Sequence, residues 1–123
     1  MEMIDISEPI MDFVEKSGIK SGIAVVYTPH TTAGITINEN ADPSVKSDMT
    51  KFLQEMVPHK SWFRHMEGNS SAHILSSLIS PSQYFILEKG SLIIGTWQGI
   101  FFCEFDGPRS RKVYVKILSD DNI

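Results

Sequence analysis

The sequence predicts an α+β fold, and three observations carry that expectation. Apolar residues recur at helical spacing in three runs, each bracketed by residues that start or stop helices. Short β-branched and aromatic runs lie before and after them, two of these pairs separated by Gly-containing turns. The 123-residue length suits one domain spanning 1–123, with no repeat, linker or low-complexity tract dividing it.

Taken in order, Ser7-Glu8-Pro9 reads as a helix start, a capping hydroxyl followed by a proline in the first turn. Ile10, Met11, Phe13 and Val14 form its apolar stripe, and Gly18 is the expected stop. Gly22–Thr28 is short and β-branched, a buried strand. Pro29-His30-Thr31-Thr32 interrupts it before Gly34–Asn38 resumes as a second strand. Asp42-Pro43 opens the next helix, which carries Val45, Met49, Phe52, Leu53 and Met56 and ends at Pro58. Residues 59–69 are polar and aromatic without period, hence a loop. Ser70 or Ser71 is expected to cap a short helix with Ile74, Leu75, Leu78 and Ile79, closed by Pro81. Gln83–Glu88 and Ser91–Thr96 flank the hairpin signal Lys89-Gly90; Gln98–Asp106 and Arg111–Leu118 flank the turn signal Gly107-Pro108. Within 98–106, Ile100 and Phe102 share one face with Gln98 and Glu104, while Phe101, Cys103 and Phe105 share the other. A strand apolar on both faces is covered twice, by two packed layers or by a second subunit.

Composition narrows the function. A net charge of −4 and scattered basic residues argue against nucleic acid, whose binders carry a basic face. Cys103 is the only cysteine and sits in an apolar run, so it reads as core, with no disulfide or multi-thiolate zinc site. The acidic start Met1–Asp5 is unlike a secretory signal, and no apolar run approaches the ~20 residues that span a bilayer. A cytoplasmic protein without membrane association is expected.

Unusual polar residues concentrate in three segments: His30-Thr31-Thr32 running on to Asn38-Glu39-Asn40; His65 to His73 with Glu67 and Asn69 between; and Trp97-Gln98 running on to Glu104, Arg109 and Arg111. Imidazole is the commonest neutral metal ligand, and three of them leave the open position of a catalytic zinc site. His30, His65 and His73 are the candidates, although the eight-residue step from His65 to His73 is not a helix-borne pair. The competing reading makes His73 an interface or core histidine and His65 a loop residue. His59, beside Pro58 and Lys60, reads as solvated. Glu39 and Glu67 are candidate bases or supporting carboxylates. Glu104 falls on an apolar face, where a carboxylate needs a partner. Arg109 or Arg111 can supply one, as a structural ion pair or alongside a substrate contact. Arg109, Arg111 and the amides opening the Ser70 helix suit a phosphate. Trp97 and Gln98 offer a ring and an amide to a heteroaromatic ligand, or a core position in a strand bend.

Four motifs, His30-Thr31-Thr32-Ala33-Gly34-Ile35-Thr36-Ile37-Asn38-Glu39-Asn40, Asn69-Ser70-Ser71-Ala72-His73, Gly95-Thr96-Trp97-Gln98-Gly99-Ile100 and Glu104-Phe105-Asp106-Gly107-Pro108-Arg109, occur in this order. Together they resemble the YjbQ family (UPF0047), also called the secondary thiamine-phosphate synthase family, across nearly the whole chain. The resemblance implies an antiparallel β-sandwich with flanking helices, assembled as a homotrimer. It also implies a cavity where the motifs converge, with a divalent metal on His30, His65 and His73. Its named activity joins a pyrimidine diphosphate to a thiazole phosphate, giving thiamine phosphate and pyrophosphate. The implied roles are catalytic for His30, Glu39 and Glu104, and substrate-binding for Thr31, Asn38, Asn69, Trp97, Gln98, Arg109 and Arg111. Two departures are expected. No strand precedes the Ser7 helix, and no acidic cluster suits the magnesium of a diphosphate, so the histidines point to zinc, with magnesium the alternative where a diphosphate substrate brings it. Three functions follow: an enzyme on a phosphorylated heteroaromatic substrate, a zinc-dependent hydrolase, or a non-catalytic metabolite- or metal-binding trimer.

Overall fold

The structure, a computed structural model, describes residues 1–122. Alternating apolar residues build two antiparallel sheets whose inner faces share one core. The elements in chain order are β1 (Glu2–Asp5), α1 (Ser7–Lys16), β2 (Gly22–Tyr27), β3 (Ala33–Glu39), α2 (Pro43–Met56), α3 (Ser70–Ile79), β4 (Ser82–Glu88), β5 (Ser91–Leu92), β6 (Gln98–Glu104) and β7 (Tyr114–Ser119). One sheet has the order β1-β6-β3, the other β5-β4-β2-β7. Ile35, Ile100 and Phe102 from the first meet Ala24, Val26, Phe85 and Leu87 from the second, with Ile10 and Val14 of α1 joining the same core.

Both faces of β6 are covered within the chain. Ile100 and Phe102 face the opposite sheet, while Phe101 and Cys103 cluster with Met3, and Met49 of α2 and Ile79 of α3 pack against them. Two packed layers and helices therefore explain the doubly apolar strand without a second subunit. Burial also pushes the Cys103 thiol up to about 12, which keeps it protonated and inert.

Helix starts differ in detail. Asp42 caps α2 as expected, its Oδ1 accepting from the Ser44 N–H at 2.8 Å. Ser7 opens α1 but does not cap it. Asp5 Oδ1 accepts the Ser7 N–H at 2.8 Å, and the Ser7 hydroxyl accepts the Ile100 N–H at 2.8 Å, which ties α1 to β6. Asn69, rather than either serine, stands at the start of α3, and its side chain is engaged elsewhere.

Three strand expectations need correction. A strand does precede α1: β1 pairs with β6 from Glu2↔Glu104 to Asp5↔Phe101. Its signal is four residues with charges at both ends, too short to show alternation. The strand expected over 91–96 stops at Leu92, because the chain bends at Gly95, whose N–H donates to Gln98 Oε1 at 2.7 Å. Gly107-Pro108, joined by a cis peptide, does not close a hairpin. β6 lies in one sheet and β7 pairs with β2 in the other, so residues 105–113 form a crossover. Period-2 patterning assigns faces to a strand but not its partners. None of the described helices is long and apolar enough to cross a membrane.

Candidate functional site

The crossover leaves β6 at the end of the sandwich where β2 stops and β3 begins, and several ties hold it there. Arg111 forks onto Glu104, Nε to Oε1 at 2.7 Å and Nη2 to Oε2, and Nη2 also reaches Thr32 Oγ1 at 2.9 Å. Glu104 Oε2 accepts the Asp106 N–H at 3.0 Å. The Lys112 N–H donates to His30 Nε2, and the Thr28 hydroxyl donates to the Lys112 carbonyl, both at 2.8 Å. Chiefly through the Arg111 hydrogen bonds, and against the opposing effect of burial, the Glu104 carboxyl is held below the usual carboxylate range. The Arg111 guanidinium is correspondingly raised by its bonds to Glu104. With both oxygens engaged and its proton affinity lowered, Glu104 is a weak base and a strong anchor for Arg111.

A second network adjoins this one. Asp106 Oδ2 accepts from Asn69 Nδ2 at 2.7 Å and from Arg109 Nη2 at 2.8 Å, while Arg109 Nε donates to the Asp106 carbonyl at 2.8 Å. The Asn69 hydrogen bond is the main influence holding the Asp106 carboxyl below its ordinary range. Glu67 Oε2 lies 3.9 Å from the Arg109 guanidinium, whose side chain stays 48% exposed and so can still meet a ligand. Asn69 Oδ1 and Ser71 Oγ, at the start of α3, are buried without a hydrogen-bond partner among the described residues. Asp106 is the residue sequence reasoning missed here. It lay inside the Glu104–Arg109 motif, but only folding shows that it joins Asn69 to Arg109.

The histidines line up along the same end. The rings of His65 and His73 stand edge to face with centroids 5.2 Å apart. His73 lines one hollow with His65 and a neighbouring one with His30 and Thr31. The other candidates lie elsewhere. Asn38 and Glu39 pair with Gly99 and Gln98, and Ala33 pairs with Glu104 at the opposite end of the same ladder. Six residue steps at ~3.3 Å place Asn38, Glu39, Trp97 and Gln98 about 20 Å from the arginine end.

Residues 1–120 match the family model described as UPF0047 protein YjbQ-like. The chain belongs to the YjbQ-like UPF0047 family. It is 59% identical over 120 residues to UPF0047 protein MJ1081 of Methanocaldococcus jannaschii, covering 97% of this chain and 86% of that one. It is 57% identical over 118 residues to UPF0047 protein YugU of Bacillus subtilis, covering 95% and 89%. Among solved structures, it resembles a YjbQ/UPF0047 protein from Clostridium acetobutylicum with a TM-score of 0.92 at 55% identity, covering 95% and 91%. A YbjQ-like protein from Sulfolobus solfataricus also superposes with a TM-score of 0.92, at 35% identity, covering 97% and 88%. These names establish a family and a fold, and none of them states a reaction.

In this YjbQ-like chain, no three His, Cys, Asp or Glu side chains among the described residues are grouped to hold a metal ion. His65 and His73 stand side by side, but His30 lies beyond His73 with its Nε2 lone pair taken by the Lys112 amide. In a single chain, His65 and His73 are thus the two imidazoles that stand side by side.

Proposed function

We propose that this YjbQ-like protein is a cytoplasmic enzyme acting on a phosphorylated small molecule at the end of the sandwich that carries Asn69, Asp106, Arg109 and the His65–His73 pair. One observation supports this reading above the others. Asp106 orients Arg109 through both its carboxylate and its carbonyl, yet half of the arginine remains open beside the start of α3. An oriented, accessible guanidinium next to a helix N-terminus suits phosphate oxygens. Arg111 is a lesser candidate for direct contact, because Glu104 and Thr32 already use its Nε and Nη2. The adjacent imidazoles are placed to move a proton. The thiamine-phosphate synthase reaction implied by the resemblance is one transfer of this class. Calorimetric titration with inorganic phosphate, pyrophosphate and a thiazole phosphate tests binding, and incubation with the pyrimidine diphosphate and thiazole phosphate together tests turnover. Arg109→Ala is expected to weaken phosphate-bearing ligands by about 1.5–3 kcal/mol, the range for hydrogen bonds to charged groups. Unchanged affinity in that variant defeats the proposal.

The His65–His73 pair favours a second reading, a zinc-dependent hydrolase. Zinc held by these two rings would need further donors from outside the arrangement seen in one chain, and a stoichiometric zinc content of the purified protein would support it. Ligand binding without turnover would instead favour a metabolite-binding module.

A homotrimer also belongs to this proposal. The outer face of the β5-β4-β2-β7 sheet exposes Ile23, Tyr27, Tyr84, Ile86, Tyr114 and Leu118, which neighbour one another through the pairings Ile23↔Ile86, Ile23↔Leu118 and Tyr27↔Tyr114. An apolar patch spread over adjoining strands marks an interaction surface.

A further inference from the structure

Arg109 and Arg111 line a cleft of about 610 Å³, a volume within the range of small-molecule sites. The cleft exists because the sandwich is open along one edge. β1 lies at the edge of the three-stranded sheet and meets β6 and α2, and among the described residues no strand of the other sheet packs closely over it. Register puts Glu2 and Ile4 on the face that Glu104 and Phe102 share, the face turned toward the opposite sheet. Phe102 is covered there, at 5% exposure, while Ile4 directly across from it stays 42% exposed. An inward-facing isoleucine left open is a piece of core without a cover. Ile6 continues this floor, its N–H donating to the Ile100 carbonyl at 2.8 Å, and Pro108 and Val113 of the crossover also line the cleft. The charges gather at one end. Glu2 pairs with Glu104, which holds Arg111, and Ile4 and Ile6 follow along β1 at two-residue steps of ~6.6 Å. Arg109 borders the same space, and its Nη1 makes no hydrogen bond among the described residues. Glu2 has no ion pair among them and weighs against more negative charge than one phosphate carries. Phe102 is the one aromatic side chain lining the cleft and is already buried, so no ring face is open there for stacking.

We propose that this cleft takes a phosphate monoester of a short aliphatic alcohol, its phosphate on Arg109 and its carbon chain along Ile4, Ile6 and Val113. The proposal rests on the phosphate reading above and adds the class of the esterified group, which is aliphatic rather than heteroaromatic. One cleft holds both halves of the recognition. An oriented guanidinium meets the anion, and branched aliphatic side chains beside it gain by excluding water from an alkyl chain. The hollow that Trp62 and Phe63 build beside His65 and His73 shares no lining residue with this cleft and plays no part in it.

Calorimetric titration with inorganic phosphate, methyl phosphate, n-butyl phosphate and phenyl phosphate tests this. Full burial of the three extra methylenes of the butyl ester would tighten it about 60-fold over the methyl ester, so in an open cleft a gain of about eightfold is expected. Phenyl phosphate should bind no tighter than the butyl ester. In Ile4→Ser, with folding verified by circular dichroism, the butyl gain should fall to about twofold or less while inorganic phosphate binds as before. Val113→Thr keeps the shape of the side chain and should reduce the gain in the same direction, which covers the case of an Ile4→Ser chain that fails to fold. Equal affinities for the methyl and butyl esters, a phenyl ester that binds tightest, or a butyl gain untouched by both variants overturns the aliphatic assignment and leaves the phosphate reading intact. Esters that bind Arg109→Ala as tightly as wild type, yet lose their gain in Ile4→Ser, support the aliphatic floor and overturn the phosphate reading. Absence of binding by all four probes overturns both.

Discussion

Removing Glu104 should destabilise the protein far more than removing an ordinary surface carboxylate. The side chains of Arg111 and Glu104 are only 11% and 9% exposed, which places the pair outside the class of surface bridges worth ~0–1 kcal/mol. In Glu104→Ala, Arg111 retains Thr32 as an acceptor, but its other bonds are lost and the Asp106 N–H loses its partner. Breaking one side of a buried pair costs about 3–5 kcal/mol, and because both residues border an open cleft the lower end, near ~3 kcal/mol, is expected. In a chain of this size that lowers Tm by roughly 10 °C. Urea denaturation of Glu104→Ala, Arg111→Ala and the double variant should give a coupling of about 2 kcal/mol. The pH dependence has a definite sign. Since folding lowers the Glu104 pKa, its contribution is fully present above the unfolded carboxylate value of ~4.3 and is lost as pH falls through the lower folded value. The stability gap between wild type and Glu104→Gln should therefore close in acid. A coupling below ~0.5 kcal/mol at neutral pH, or a gap that persists under acid conditions, refutes the reasoning.

Two other outcomes can be checked directly. Light scattering should give three times the 13.8 kDa chain mass, and Ile86→Asp on the exposed sheet face should dissociate the assembly; a wild-type monomer at micromolar concentration removes the trimer. Gly22→Ala should lose stability toward the upper end of the ~1–3 kcal/mol typical of overpacking, because its Cβ would lie 2.0 Å from the Leu118 carbonyl oxygen; a thermal-melt shift under ~2 °C would show that β7 yields freely.

Where a local signal sets the structure, the sequence was legible. Asp42-Pro43 declares the start of α2 because cap and proline act within one turn, and alternation identifies the two faces of β6. Glu104 was legible for a related reason: a carboxylate on an apolar face requires a cation, and Arg111 supplies it. Long-range pairing was not legible. Nothing local distinguishes a Gly-Pro hairpin from a crossover between sheets, and β1 is recognisable only once β6 is there to pair with it. Loop 59–69 has no period, so its role in building the Trp62–Phe63 hollow could not be read from spacing. One separation was available in principle. Gln98 and Glu104 belong to one strand, and a strand is a rod at ~3.3 Å per residue, so Trp97 and Glu104 could not share a compact site within one chain.

On the proposed phosphate reading, the ties around the crossover are the means by which structural residues would govern binding without touching the ligand. A connection between two sheets, carrying a proline and few apolar side chains, would ordinarily be a mobile loop. Here Glu104 and Thr32 hold Arg111, His30 and Thr28 hold Lys112, and Asn69 holds Asp106, which in turn holds Arg109. Arg109 is thus an exposed member of a network whose buried members fix its origin and direction. Affinity for a phosphate depends on that preorganisation, because an arginine already oriented gives up less side-chain freedom when it binds. Loss of Arg111 or His30 therefore acts on the ligand through the position of residues 105–113, lowering stability and affinity together. On the proposed phosphate reading, loss of Arg109 removes the contact itself and should lower affinity far more than stability. Comparing the melting temperature and the phosphate affinity of each variant separates the residues that build the site from the one proposed to meet the ligand.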